Sequence, residues 1–355
     1  DKPEDSRAQT LAGLIWIKLA ETTKAQKALE AAVQANDENL TAWLALGTIA
    51  MGEQDFDAAN TYFHYASDIQ PQAVAAYKGL FSVAEAQQQS GQGIEILREL
   101  SSTHPGNGLP QAVIAEYYLH HKHIEKAKGP VEEALARQPY HPYVNGVSVN
   151  YYLASARAAL QTRDLESAKR EIIQGISITP RSSQLLAILA RIQMLEGDFA
   201  AAESTIEQVA RISYVEAKIL RGDLDMQKKV PARAITLYRE AWQSQPSSDL
   251  AGRTHKALIA VDKTAAFEFL DQWQTYLPTD PTPLLIRALS AQKAGKARQA
   301  IKHYQGVIAL APANVLALNN LAWLYYEARD SRALLTARSA CFLTLRRPPG
   351  STPFP

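Results

Sequence analysis

The chain has 355 residues, of which 46% are hydrophobic and 21% charged, so it has enough apolar side chains to be ordered throughout. Its 37 basic and 36 acidic residues nearly cancel, which argues against generic binding to a nucleic-acid backbone. The single cysteine, Cys341, excludes an internal disulfide framework and leaves both cytosol and periplasm open. The apolar stretch at residues 11–19 is too short to cross a bilayer and contains Lys18, so we expect a mature or excised soluble fragment without a transmembrane segment.

Prolines divide the chain at a regular interval. Pro71, Pro105 and Pro139 lie 34 residues apart, and Pro278 and Pro312 repeat the interval. Twelve positions before each of these prolines stands a small residue, and five positions before it stands another small or apolar residue. A period of this length predicts a repeat architecture in which one supersecondary unit recurs along the chain.

The unit at residues 40–73 shows the pattern most completely. Ala59, Phe63 and Ala66 are four and three positions apart, which places them on one face of an α-helix. Pro71 would end that helix, because proline cannot continue it. We therefore predict a helix whose small residues let a neighbouring helix come close.

The same unit carries Trp43, Leu46 and Gly47 in its first half. With the residues of the second half, this order resembles the tetratricopeptide repeat, a helix–turn–helix unit of 34 residues. The resemblance extends over ten registers near residues 6–39, 40–73, 74–107, 108–141, 149–182, 183–214, 215–246, 247–280, 281–314 and 315–345. It implies an all-α fold, a right-handed superhelical solenoid of about ten repeats in which each helix pair buries its apolar face against its neighbours.

Several registers depart from the motif. The first has Asp37 in place of the final proline, and the eighth has Arg253 and Thr254 where Leu-Gly is expected. Seven extra residues, 142–148, separate the fourth register from the fifth, and we expect them to bulge as a loop from one edge. Residues 346–355 have no helical pattern, so we expect a tail outside the repeats.

Two tyrosines, Tyr140 and Tyr143, lie in the expected loop. Exposed rigid aromatic side chains favour contact with a partner. The alternative is a loop that folds back onto its own repeat junction. Both interpretations make the two tyrosines candidates for a binding site.

In proteins of this family the first helices line a concave groove. At the ninth position of successive registers the sequence has Glu116, Arg157, Arg191 and Asp223, which we expect to face that groove. The two arginines could form a basic patch for a carboxylate or another anion. Alternatively, Glu116 pairs with Arg157 and Asp223 with Arg191, as exposed salt bridges that need no partner.

Motifs for catalysis were sought and not found: the sequence has no Gly-rich phosphate loop, nucleophile elbow or His-Glu-x-x-His helix. The run His120-His121-Lys122-His123 has two histidines one helical turn apart, but Lys122 would repel a cation and polar residues at a helix end are ordinarily solvated. We therefore expect no metal, no cofactor and no enzymatic activity.

The resemblance implies a scaffold that binds a protein, as a peptide or a helix, in its groove. The stretch at residues 318–326 is similar to large bacterial proteins and lipoproteins of this family that accompany exopolysaccharide secretion and exosortase-type sorting. That similarity implies a periplasmic or envelope-associated protein; without it the compartment is open. Two alternatives remain, namely a polysaccharide-binding module and a regulatory segment of a larger enzyme.

Overall fold

The computed structural model describes residues 5–345, with side chains as far as Phe342. All regular structure in that range is α-helical, in twenty helices. In chain order they are α1 (Ser6–Lys18), α2 (Thr22–Ala35), α3 (Leu40–Glu53), α4 (Phe56–Ile69), α5 (Val74–Ala86), α6 (Ser90–Thr103), α7 (Leu109–His120), α8 (Ile124–Arg137), α9 (Pro142–Gln161), α10 (Leu165–Ile178), α11 (Ser183–Glu196), α12 (Phe199–Ala210), α13 (Tyr214–Gln227), α14 (Pro231–Ser244), α15 (Ser248–Val261), α16 (Lys263–Tyr276), α17 (Thr282–Lys293), α18 (Ala297–Leu310), α19 (Val315–Glu327) and α20 (Arg332–Leu345). The expected tail at 346–355 lies outside the described residues. The predicted all-α class is confirmed.

The turns inside the helix pairs share one local device. In the turn between α3 and α4, Gln54 has a left-handed backbone with φ of 63° and lets the chain reverse. Asp55 then begins α4, because its carboxylate accepts a hydrogen bond from the backbone N–H of Ala58 at 3.0 Å. Corresponding turns use glycine at Gly197 and Gly295, which adopt positive φ without a steric penalty.

The chain divides into two compact units, residues 1–192 (unit 1) and 193–355 (unit 2). Within unit 1, the first helices α1, α3, α5, α7 and α9 each contact the next one in the series. Their second helices pack against them from one side. The first helices of unit 1 therefore form one layer, and we call its solvent-facing surface the first-helix face.

Close approach between helices in unit 1 depends on glycine at two positions. The ring of Phe63, on α4, lies between α3 and α5. A Cβ atom added to Gly47 would lie 2.6 Å from this ring, and one added to Gly79 would lie 2.4 Å from it. Both distances are far below van der Waals contact, so only hydrogen fits at either position. The residues that flank Phe63 on its helix, Ala59 and Ala66, are fully buried.

The expected loop at residues 142–148 is wrong. These residues form the first two turns of α9, which has 20 residues where α5 has 13. Pro142 stands at the start of the helix, where its fixed φ suits the first turn and its missing N–H costs no hydrogen bond. His141 caps the helix by accepting a hydrogen bond from the N–H of Tyr143. Val144 and Val147 are buried, so the extra turns pack into the core.

The core of unit 2 is built around large aromatic side chains. Trp273 is buried on α16 and donates a hydrogen bond from Nε1 to Oδ2 of Asp280 at 2.8 Å. Asp280 also accepts from the hydroxyl of Ser248, which ties α15 to the turn after α16. Phe269 and Trp242 pack edge to face, with ring centroids 5.9 Å apart.

Paired glycine substitutions test the close packing around Phe63. Gly79→Ala is expected to lower the free energy of unfolding by about 1–3 kcal/mol, because the ring is confined by Gly47 on its other side and cannot move away. Gly146→Ala, in α9 with open space around its Cα, is expected to raise it by about 0.5–1 kcal/mol through helix propensity. Urea denaturation of both variants provides the measurement. Equal stabilisation by the two changes would contradict the packing argument.

Candidate functional site

Three successive first helices of unit 1 bring charged and aromatic side chains together around Glu116. Lys78 of α5 lies with its Nζ atom 2.7 Å from Glu116 Oε2 of α7. The hydroxyl of Tyr143, from α9, donates a hydrogen bond to the same oxygen at 2.8 Å. The ammonium of Lys78 also lies 5.0 Å from the centroid of the Tyr143 ring, within cation–π range. The cluster links α5, α7 and α9 through one carboxylate.

The protonation state of this cluster is fixed by its surroundings. Burial raises the pKa of Tyr143, and the hydrogen bond and negative charge of Glu116 raise it further. Tyr143 therefore remains a neutral donor at physiological pH. Because Glu116 accepts from both a lysine and a tyrosine, its carboxylate is held in one orientation on the first-helix face.

A cavity of about 310 Å³ opens beside Glu116, between α5 and α7. Its lining combines charged, polar and aromatic side chains, namely Lys78, Phe81, Ser82, Glu85, Val113, Glu116, Tyr117 and His120. Ser82 and Glu85 are exposed on α5, whereas Phe81 is buried and packs 4.8 Å from the ring of Tyr117. The cavity therefore has an aromatic wall and a polar mouth with two carboxylates.

The predicted pairing of Glu116 with Arg157 is wrong, because Glu116 binds Lys78 and Tyr143 instead. Arg157 is exposed on α9, and among the described residues no ion pair engages it. Arg191, on α11, is half-buried. A basic patch formed by the two arginines stays a prediction.

In unit 2, Asp223 belongs to a network that the sequence did not reveal. Its Oδ1 atom accepts a hydrogen bond from Tyr238 at 2.7 Å and pairs with Arg253 of α15. Arg253 also binds Asp249, one turn earlier on its own helix, at 2.9 Å. Burial by itself would lower the pKa of Arg253, but Asp223 and Asp249 more than offset it and leave the pKa raised. Arg253, which departs from the repeat motif, thus holds two helices together.

The two candidate tyrosines have different environments. Tyr140 is 91% exposed in the turn before α9, and no interaction of its hydroxyl occurs within residues 5–345. Tyr143 is half-buried on the helix and committed to Glu116. On α19 of unit 2, Trp323 and Tyr326 are largely exposed, with ring centroids 5.9 Å apart. Exposed aromatic rings thus occur in both units.

The histidine run lies at the end of α7. His121 is 3.8 Å from Glu85, and its ring packs 4.5 Å from that of Tyr117. Across the described residues, no three His, Cys, Asp or Glu side chains come together as a metal-binding group. Within residues 5–345, none of the helices combines the length and apolarity that crossing a bilayer requires.

Paired helices stacked through small residues, with polar and aromatic side chains on the first helices, define a helical-repeat protein of the kind that assembles other proteins. The repeats are tetratricopeptide repeats. The model of that family, described as "Tetratricopeptide repeat", matches residues 11–74 of unit 1 and 287–340 of unit 2. The predicted resemblance is confirmed.

Three solved structures resemble the chain. The pilF protein of Pseudomonas aeruginosa is 18% identical, with a TM-score of 0.41, over 60% of this chain and 95% of that one. A tetratricopeptide repeat protein from Parabacteroides merdae is 15% identical, with a TM-score of 0.35, over 71% and 98%. Yeast Tom70 is 13% identical, with a TM-score of 0.48, over 95% and 92%. No curated protein sequence matches the chain.

The Glu116 cluster predicts a measurable role for one hydroxyl group. Tyr143→Phe is expected to lower the free energy of unfolding by about 1 kcal/mol, because a partly buried hydrogen bond to a carboxylate is lost. Tyr140→Phe removes an exposed hydroxyl and is expected to change it by less than about 0.5 kcal/mol. Chemical denaturation at neutral pH compares the two. Similar losses for both variants would mean that the cluster does not stabilise unit 1.

The network in unit 2 predicts that Arg253 stabilises the packing of α13 against α15. Arg253→Gln is expected to lower the free energy of unfolding by about 1–3 kcal/mol, since it leaves the mostly buried carboxylate of Asp223 without its cation. Arg221→Gln, at an exposed position on α13, serves as the control, with an expected change below about 0.5 kcal/mol. An unchanged denaturation midpoint for Arg253→Gln would contradict this role.

Proposed function

We propose that this protein is a non-catalytic scaffold that binds a peptide or a helix of a partner protein on the first-helix face of unit 1. The observation that carries the proposal is the cavity between α5 and α7, with its aromatic wall and its two carboxylates. Tetratricopeptide repeats use such surfaces to bind proteins through many modest contacts.

The charges on this face favour a partner of mixed charge. Glu85, at the mouth of the cavity, is exposed and could accept a basic side chain, whereas Arg157 could bind an acidic one. The net charge of the chain is only +1, so long-range attraction would contribute little. We therefore expect added salt to weaken binding only modestly.

The proposal includes a cellular setting that rests on sequence similarity alone. Residues 318–326 are similar to bacterial proteins that accompany exopolysaccharide secretion and protein sorting in the envelope. A scaffold in that setting would hold together components of a secretion or sorting assembly. In the structure this stretch is part of α19 and supplies the exposed Trp323 and Tyr326 pair.

The cavity can be blocked without touching the core. Ser82 is exposed at its rim, so Ser82→Tyr should fill the cavity and leave the helix packing unchanged. Peptides selected from a random display library on the parent protein are expected to bind this variant at least tenfold more weakly, a loss of about 1.4 kcal/mol. Fluorescence anisotropy with the labelled peptides gives the dissociation constants.

The matched control is Ser102→Tyr, which places the same side chain at an exposed position of the second helix α6. It is expected to leave peptide affinity unchanged. If the selected peptides bind both variants as tightly as the parent, they do not use the first-helix face, and the proposed site is wrong. Thermal melting of both variants verifies that neither change unfolds unit 1.

A further inference from the structure

The longer helix α9 creates a second cavity in unit 1, away from Glu116. It has a volume of about 800 Å³ and lies between the first turns of α9 and the connection from α10 to α11. The lining residues are Pro142, Asn145, Gly146, Val149, Asn150, Thr179, Pro180, Arg181, Ser182 and Gln184. This volume is in the range of known ligand pockets, about 300–1,000 Å³.

One polar atom in this cavity is buried without a hydrogen bond. The Oδ1 atom of Asn145 is inaccessible to solvent and receives no donor from any described residue. A buried acceptor without a donor is unfavourable in the free protein, and such groups are rare in folded chains. A ligand that supplies an N–H group would remove this cost.

The charge of the cavity has a definite sign. Arg181 is the cation in its lining, and the lining contains neither Asp nor Glu. The guanidinium is exposed, and none of the described carboxylates pairs with it. The amide side chains of Asn150 and Gln184 complete a polar surface that can form hydrogen bonds with a peptide backbone.

We propose that this cavity binds a peptide segment of a partner protein that carries an acidic side chain. The carboxylate of the segment pairs with Arg181, and a backbone N–H donates to Oδ1 of Asn145. Both requirements follow from the lining, and a peptide is the ligand class that offers an N–H donor beside an anion. The site is separate from the first-helix face, so it does not depend on the proposed function above.

A direct test uses two capped dipeptides as probes, N-acetyl-aspartyl-alanine amide and its neutral counterpart N-acetyl-asparaginyl-alanine amide. Each is titrated into the isotope-labelled protein, and chemical shifts of the side-chain amides of Asn145 and Asn150 are followed by NMR. The acidic dipeptide is expected to saturate with a Kd at least tenfold lower than that of the neutral one. Arg181→Gln is expected to abolish this difference, whereas Arg98→Gln, an exposed arginine of α6, should preserve it.

Asn145→Leu separates a binding role from a structural one. Removing an unsatisfied buried acceptor should raise the melting temperature of the free protein, while binding of both dipeptides becomes weaker. A lowered melting temperature would show that Asn145 is needed for the fold instead. The proposal is also overturned if both dipeptides bind equally, or if acetate alone saturates the same shifts with the affinity of the acidic dipeptide.

Discussion

The distance at which neighbouring helices can pack determines most of this structure. A ring such as Phe63 can lie between two first helices only because α3 and α5 present glycine to it, at Gly47 and Gly79. The buried alanines Ala59 and Ala66 have the same effect on the other helix of the pair. Since a helix pair of this size cannot bury its own apolar face, the small residues are what allow successive pairs to share one core.

Polar side chains add a second set of links, and these join the first helices. Glu116 connects α5, α7 and α9, and Asp223 connects α13 with α15 through Arg253. In both clusters a tyrosine hydroxyl donates to the carboxylate, and burial with the adjacent negative charge raises the pKa of that tyrosine. Such clusters hold side chains at fixed positions on a surface where a partner would bind.

The fold could be predicted from the sequence because packing repeats with the period of the chain. Pro71, Phe63 and Ala59 occupy positions that recur, and each recurrence strengthens the same conclusion. The bends within this pattern were also readable, since Gly197 precedes a capping aspartate in the turn before α12.

The contacts of the candidate site could not be predicted in the same way. Repeat register places Glu116 and Arg157 at matching positions, but it does not give the tilt between helices, and Lys78 and Tyr143 reach the carboxylate first. Arg253 was overlooked because it departs from the motif. Its partner Asp223 stands one helix pair earlier at a neighbouring register, and opposite charges in that relation are a usable signal.

The seven additional residues of α9 have a consequence for the direction of every side chain that follows them. At about 100° per residue, seven residues advance a helix by about 700°, within about 20° of two full turns. Tyr151 and Ala156 therefore still face the core after the extra turns, as their burial shows. An insertion of five residues would rotate the same side chains by about 140° and turn the apolar stripe toward solvent. Changes of length inside such a helix are thus tolerated in whole turns, whereas a loop could accept any number.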